Sequence, residues 1–453
     1  MNRRISRVAT SFLVVLSLAA TNGIAPSVVF AVAGQAAPSA GGTVFSFGRN
    51  ISGETGLGTN EGITLVAAPI DTTNLIGRSI TQVAAGTVHS LLLADDGTVY
   101  SFGWNGSGAT GLGTYEGYTL VATPIDTTNL GGRTIRQVAA GNTHSLLLAD
   151  DVTVFSFGSN LGGQTGLGTE DGSTPIATAI DRTNLRGRTI TQVAAGTGAS
   201  LSGAHSLLLT DDGTVFSFGN NSLGRTGLGT SSGNMLVAMP IDRTNLSGHS
   251  ITQVAAGVRH SLLLADDGTV FSFGSNTVGQ LGLGSDSGTM PIATPIDRTN
   301  LSGRSIMQVA AGGSHSLILA DDGSVFSFGT NGFGVTGLGT DSGNSFLATL
   351  IDATNLGGRS ITQVAAGSGH SLLLADDGTV FSFGGNHSGR TGLGTDSGIT
   401  LVATPIDTSN LVGLRAVGIS AGNLHSLLVV VPEPGSITLL LFGTALLWLR
   451  RRE

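Results

Sequence analysis

Apolar residues along the body of this 453-residue chain alternate in short runs bounded by glycine, and none of these runs keeps a helical period over ten residues. Ile80 to Ala85 and His89 to Ala94 are two such runs, separated by a glycine turn. Asp95-Asp96-Gly97 is a hairpin signal, and Thr98 to Phe102 alternates as a half-buried strand does. A glycine-rich loop from Gly103 to Gly113 leads to a fourth extended run, Leu120 to Ile125, where Pro124 favours an edge position because proline cannot donate to a ladder. The pattern predicts a unit of four short strands.

The unit recurs. Ser-Phe-Gly places its glycine at Gly48, Gly103, Gly158, Gly219, Gly274, Gly329 and Gly384, at a spacing of 55 residues with a single interval of 61. Ala-Gly-x-x-His-Ser keeps the same beat at His89, His144, His205, His260, His315, His370 and His425, and an insertion around Thr197 to Ala204 accounts for the long interval. Four strands repeated seven times about an axis predict an all-β fold, a seven-bladed β-propeller over residues 41–431. The array starts at a third strand, Thr43 to Phe47, and stops after a second one. Strands within Leu414 to Val431 are therefore expected to pair with those within Thr43 to Ile70, closing the ring and removing its open edges.

Three strings carry a family resemblance: Val-Ala-Ala-Gly-x-x-His-Ser-Leu-Leu-Leu, Asp-Gly-Thr-Val-Phe-Ser-Phe-Gly-x-Asn and Gly-Leu-Gly. They resemble the RCC1 repeat, which implies the same seven-bladed propeller. The chain departs from that pattern in replacing the usual tryptophan with Phe47, Phe102, Phe157, Phe218, Phe273, Phe328 and Phe383, and in keeping Gln-Leu-Gly only at Gln280 to Gly282. Eukaryotic members of the family exchange nucleotide on a small GTPase and bind chromatin, whereas a bacterial relative is a secreted inhibitor of β-lactamases.

Both ends read as addresses. Arg3, Arg4 and Arg7 precede an apolar stretch from Val8 to Ala20, and Ala31-Val32-Ala33 has the small residues that signal peptidase requires, so residues 1–33 are expected to be a secretory signal. At the other end Pro432-Glu433-Pro434 precedes an apolar stretch from Ile437 to Leu449 and then Arg450-Arg451-Arg452. That order resembles the PEP-CTERM sorting signal of Gram-negative bacteria. The resemblance implies a short transmembrane segment, a transient inner-membrane anchor with its arginines in the cytoplasm, and processing by an exosortase that recognises Pro432, Glu433 and Pro434.

Composition narrows the chemistry. All 21 basic residues are arginine and there is no cysteine, which excludes a Schiff-base lysine, a phosphate-binding P-loop lysine, disulfides and thiolate chemistry. A net charge of -8 opposes binding to nucleic acid. The seven phased histidines are expected to make one hydrogen bond per blade rather than to act as ligands or bases, since a catalytic group is needed once and a blade contact seven times. The Asp-Asp-Gly turns at Asp95, Asp211, Asp266, Asp321 and Asp376 lack the spaced ligands of a calcium loop. Ser231 and Ser420 lie in Gly-x-Ser-x-Gly strings, but neither sits between a strand and a helix as an esterase nucleophile does. No catalytic residue, metal or cofactor is expected.

Function is sought instead where the units differ, because loops on a rigid scaffold carry recognition. The residue after Ser-Phe-Gly is Arg49, Trp104, Ser159, Asn220, Ser275, Thr330 or Gly385, and the residue six after its glycine is Glu54, Ala109, Gln164, Arg225, Gln280, Val335 or Arg390. Trp104, Tyr115 and Tyr118 gather in one unit and, with Arg49, Arg225 and Arg390, form the candidate binding set. The chain is expected to be a noncatalytic interaction scaffold, extracellular or on the cell surface of a Gram-negative bacterium, that binds an unidentified surface protein or polysaccharide. The alternatives are a secreted inhibitor of an extracellular enzyme and a propeller polysaccharide lyase or hydrolase. Mass spectrometry of the surface protein's termini is expected to find the first 33 residues removed and nothing beyond Pro434; intact tail residues in the surface pool would contradict the sorting reading.

Overall fold

The computed structural model describes residues 42–197, 203–246 and 248–433. The signal segment, Pro434, the apolar stretch to Leu449, the terminal arginines and residues 198–202 of the insertion lie outside the described residues. Among the described residues there are seven four-stranded antiparallel sheets. Six are consecutive: in blade 2, the innermost strand is Ile80–Ala85, followed outward by His89–Ala94, Val99–Trp104 and Tyr118–Pro124. Blades 3 to 7 repeat this order, with Pro124 and its counterparts on the outer strand as expected. Blade 1 is composite. Its two inner strands, Leu414–Ala421 and His425–Pro432, come from the end of the chain and its two outer strands, Thr43–Arg49 and Ile63–Pro69, from the start, with Val44 opposite Val429 and Phe47 opposite Ser426. The closure expected from the incomplete terminal units is what the ring contains.

There is no single core; apolar side chains fill seven wedges between adjacent blades. In one of them Leu91, Leu93 and Val99 of blade 2 pack with Ile135, Leu147, Phe155 and Phe157 of blade 3. The second strand, buried along its whole length, touches neighbours on both faces, which is why His-Ser-Leu-Leu-Leu-Ala shows no polar alternation. Gly103 at φ 109° is required by this packing, since a Cβ there would lie 2.5 Å from the Val88 carbonyl.

Polar groups buried at each seam are matched. Nε2 of His89 meets Ser145 Oγ of the next blade at 2.8 Å, and the same bond runs round the circle to His425 and Ser90 at 2.8 Å. Each serine donates its only proton to a loop carbonyl, as Ser90 does to Glu54 at 2.9 Å and Ser145 to Ala109 at 3.1 Å. It must therefore accept from the imidazole, so the ring histidines are neutral and protonated at Nε2. The histidines thus serve as the sequence pattern implied.

A second ring lies nearer the axis. A bulge between Ile80 and Gln82 turns the Gln82 side chain toward blade 3, where its Nε2 donates to the Val138 carbonyl and its Oε1 accepts from the Val138 N–H, both at 3.0 Å. Gln137, Gln192, Gln253, Gln308 and Gln363 do likewise to Val193, Val254, Val309, Val364 and Ile419. Blade 1 has Gly418 at this phase, and its seam is bridged instead by Ser420 Oγ, which accepts from the Ala85 N–H at 3.0 Å. The second Gly-x-Ser-x-Gly serine is thereby a seam residue.

Burial without a counter-charge pushes the ring histidines down, His89 and His315 to about 4 and His144, His260 and His425 to about 3, from an ordinary value of 6.5. The unfolded chain then binds more protons than the folded one between these values, so stability is complete above the unfolded value and is lost as pH falls. Thermal melts followed by circular dichroism are expected to give a Tm that is level above about pH 6.5 and declines toward pH 4. In that window the arginine-paired Asp96, Asp151 and Asp322, held near 2, stay ionised. His260→Gln is expected to lower the Tm at pH 8 and flatten the slope between pH 6 and 4.

Candidate functional site

The turn between the first two strands and the long loop between the last two emerge at the same end of every blade, since Trp104 N–H donates to Val88 O at 2.8 Å and Ser159 N–H to Thr143 O at 2.8 Å. One face of the ring therefore carries all seven long loops. The asparagine after Ser-Phe-Gly organises each loop: Asn105 Nδ2 donates to the Thr114 carbonyl at 3.1 Å, and its Oδ1 accepts from the Thr110 N–H at 3.3 Å. Each loop then reaches the next blade, as when Gly113 N–H donates to Pro175 O at 2.9 Å and Gly394 N–H to Leu65 O at 3.0 Å. Gly111 lies flat on the Phe157 ring, where a Cβ would stand 2.9 Å from the ring.

The two variable phases turn out to be neighbours under this girdle. The residue six after the glycine is buried in every blade, Glu54, Ala109, Gln164, Arg225, Gln280, Val335 and Arg390 alike. Glu54 Oε1 holds Arg49 Nε at 2.5 Å, while its Oε2 accepts from the Ser52 N–H at 2.7 Å. Gln164 and Gln280 use Oε1 in the same way, on the Gly162 and Val278 N–H groups. Arg390 extends over Gly385, donating to its carbonyl at 2.6 Å and to Asn423 O at 3.3 Å. Arg225 donates to the carbonyls of Ser222 at 2.8 Å, Val258 at 2.9 Å and Gly203. The structure thus draws Arg225 and Arg390, only 6% exposed, beneath the loops rather than onto the rim, and burial lowers each guanidinium to about 10. Arg49 remains part-exposed but is held by Glu54. The sequence held a signal for this pairing, since bulk at one phase meets a small or complementary partner at the other: Trp104 with Ala109, Gly385 with Arg390, Arg49 with Glu54.

The aromatic residues divide. Trp104 and Tyr118 face each other across the third and outermost strands of blade 2, Tyr118 half exposed and Trp104 partly buried over Gly106. Tyr115, also half exposed, donates its hydroxyl to the Ser173 carbonyl of blade 3 at 2.6 Å. Tyr100 is separate from them, fully buried, with its hydroxyl accepting from Arg78 Nη1 at 3.1 Å. The described flanks of the insertion lie on the same face as Trp104, two blades away: Thr197 lines the axial cavity, and Ala204 O accepts from the Asn220 N–H at 2.9 Å. That cavity, about 120 Å³, is lined among the described residues by alanine, valine, Thr197, Ser420 and the engaged glutamines, none of them titratable.

The opposite face carries the Asp-Asp-Gly turns, in which the second aspartate pairs with an arginine, as in Arg78–Asp96 and Arg304–Asp322 at 2.6 Å. Blade 5 has His249 in the arginine's place, 3.4 Å from Asp267; with Asp266 this is the one grouping of three potential metal donors among the described residues. Asp267 also accepts from the Thr269 N–H at 2.9 Å, as its sister aspartates do in their turns. Both ends of the described chain leave on this face, since Thr43 and Val430 lie opposite one another at the end of the blade away from Gly48 and His425.

Comparison with known proteins matches the geometry. A family model described as an RCC1-like domain covers residues 121–439, and models of the regulator of chromosome condensation (RCC1) repeat cover residues 41–93 and 80–109. The ultraviolet-B receptor UVR8 of Arabidopsis thaliana is 30% identical over 356 residues, 78% of this chain and 75% of that one. The mouse E3 ubiquitin-protein ligase HERC2 is 33% identical over 333 residues, 73% of this chain, which spans only 6% of the ligase. Among solved structures, yeast RCC1 (Prp20) bound to Kap60 superposes with a TM-score of 0.76 at 21% identity, over 94% of this chain and 97% of that one, and human WBSCR16 with a TM-score of 0.74 at 24% identity, over 87% and 99%. These two likenesses establish the fold.

The buried role of the arginines is checked by stability. Arg390→Met is expected to cost about 1–3 kcal/mol in urea denaturation by leaving its carbonyl partners unmatched. Gly385→Ser, whose Cβ would stand 2.7 Å from Arg390 Nη2, is expected to destabilise the fold as well, whereas an unchanged midpoint for both would return Arg390 to the surface.

Proposed function

The chain belongs to the RCC1-repeat propeller family, and from that premise we propose that it is an exported, noncatalytic binding scaffold whose long-loop face engages its partner. The observation that carries the reading is a division of labour around the ring. Framework residues repeat, while Tyr115 and Tyr118, both exposed, and Trp104 beside them cluster in one blade on the face opposite both ends of the described chain. Aromatic side chains supply large contact area at low entropic cost, and the family scaffold positions them on short, hydrogen-bonded loops. The relative called a receptor and the ubiquitin ligase, a far longer chain, support reading the propeller as a recognition or regulatory unit.

Export and sorting belong to the same proposal. Pro432 ends the last strand, and the exposed Glu433 donates its N–H to Gly413 O at 2.9 Å. An exosortase acting at Pro432-Glu433-Pro434 would find this exit on the surface, and a membrane tether there would leave the loop face turned outward. Noncatalytic function is supported by the use of the phased histidines, Ser420 and the inner glutamines in seams, and by an axial cavity without acid or base.

The test is affinity capture from the native extracellular matrix with the wild-type protein and with Trp104→Ala and Tyr118→Ala. The variants are expected to keep the wild-type Tm and to retain at least tenfold less partner; equal retention by both would sink the proposal.

A further inference from the structure

On the long-loop face, the residue opposite the one that follows Ser-Phe-Gly stands at the start of each outermost strand, and in every blade it is at least partly exposed. In blades 7, 1 and 2, which are neighbours, it is apolar: Ile399, Ile63 and Tyr118, 40%, 40% and 50% exposed. In blades 3, 4, 5 and 6 it is Ser173, Asn234, Thr289 and Asn344. The loop of each blade packs beside the outer strand of the next, Gly389 against Ile63 and Gly334 against Ile399, which brings Phe333, 53% exposed, up to the same arc. Three neighbouring blades therefore present an apolar arc at this position, and the other four present polar groups there, although Leu161 and Phe333 are exposed in the loops of blades 3 and 6.

Charge on this face is one-sided. Six of the seven long loops carry an exposed carboxylate, Glu61, Glu116, Asp171, Asp286, Asp341 or Asp396, and among the described residues none is paired with an arginine. Glu61 and Glu116 lie two residues before Ile63 and Tyr118, and Asp396 three before Ile399, so each apolar side chain of the arc has its own acid. The arginines that could offset them are turned inward: Arg225 and Arg390 are buried on carbonyls, and Arg49 is held by Glu54. Among the described residues Arg259 is the exposed arginine left at this end.

We propose that the Ile399, Ile63 and Tyr118 arc is a docking surface for a cationic, amphipathic polypeptide, whose apolar side chains lie on the arc while its lysines or arginines meet Asp396, Glu61 and Glu116. The inference rests on the long-loop face being the recognition surface and goes further in choosing protein over polysaccharide. An acidic exopolysaccharide would meet unpaired carboxylates of its own sign, and a neutral glycan would leave them unused. Apolar anchors ringed by complementary charge give affinity from the first and orientation and rate from the second.

The experiment uses the full chain with Trp448→Phe, which leaves Trp104, beside Tyr118, as the single tryptophan reporter. It is titrated with an 18-residue amphipathic peptide of lysine and leucine, with the same peptide carrying glutamate for lysine, with alginate and with dextran. The lysine peptide is expected to change Trp104 emission saturably, with affinity falling at least tenfold in the triple variant Glu61→Gln, Glu116→Gln, Asp396→Asn. A tenfold loss is likewise expected for Ile63→Ser with Ile399→Ser, which keeps the charge. Undiminished binding by either variant, or equal binding of the glutamate peptide, overturns the proposal. Saturable binding of alginate or dextran in place of the lysine peptide overturns the choice of partner and leaves the loop face as the recognition surface. Silence of Trp104 toward all four probes overturns the inference, and it extends to the function proposed above only if Trp104→Ala and Tyr118→Ala both also retain the matrix partner in full.

Discussion

One hydrogen-bonded junction, repeated seven times, holds this ring together: a histidine of one blade, a serine of the next, and a carbonyl in the long loop of the first. Ser145 accepts from His89 and donates to Ala109 O, so blade 3 grips both the framework and the loop of blade 2. The bond from His425 to Ser90 joins the last repeat to the first complete one, across 335 residues of chain. Because the groups are fully buried, leaving any of them unmatched is expensive, and the neutral imidazole is the form the site selects.

That junction also explains how the loops vary without drifting. The carbonyl that the serine binds belongs in every blade to the residue six after the glycine, from Glu54 to Arg390. Its main chain is fixed by the ring, and its side chain is left to fill whatever space the residue after Ser-Phe-Gly leaves. Variation at the two phases therefore changes the interior of each loop together with its outer surface. Burying arginine in two blades and holding Arg49 on the buried Glu54 in a third removes these cations from the surface while other carboxylates stay on top, and the acidic character of the long-loop face follows from that placement.

Most of the architecture was legible in the sequence because each of its rules acts locally and was written seven times. The two-residue alternation, the glycine turns and the 55-residue beat give the strands. The incomplete terminal units, Thr43 onward and up to Val431, imply the shared blade, since a ring with matching fragments has a way to bury its edges. The regular histidines implied a structural bond for the same reason: repetition marks what every blade needs. Among the described residues, Pro432 and Glu433 stand at an exposed exit, while the rest of the sorting motif's context belongs to the sequence reading alone.

Depth and direction were decided by the tertiary structure. A variable position in a loop looks the same in a sequence whether it points out or in, and Arg225 and Arg390 point in because the next blade closes over them and offers carbonyls at the right distance. The glutamine that six of the seven inner strands carry before valine is equally silent, since only the bulge before Gln82 aims its amide at Val138. Tyr100 and Tyr118 are alike in composition and opposite in fate, one sealed inside the blade and one on the rim. The chain by itself determined a ring of seven blades and the bond that each blade repeats; the packing of one blade on the next determined which of the unrepeated residues face a partner.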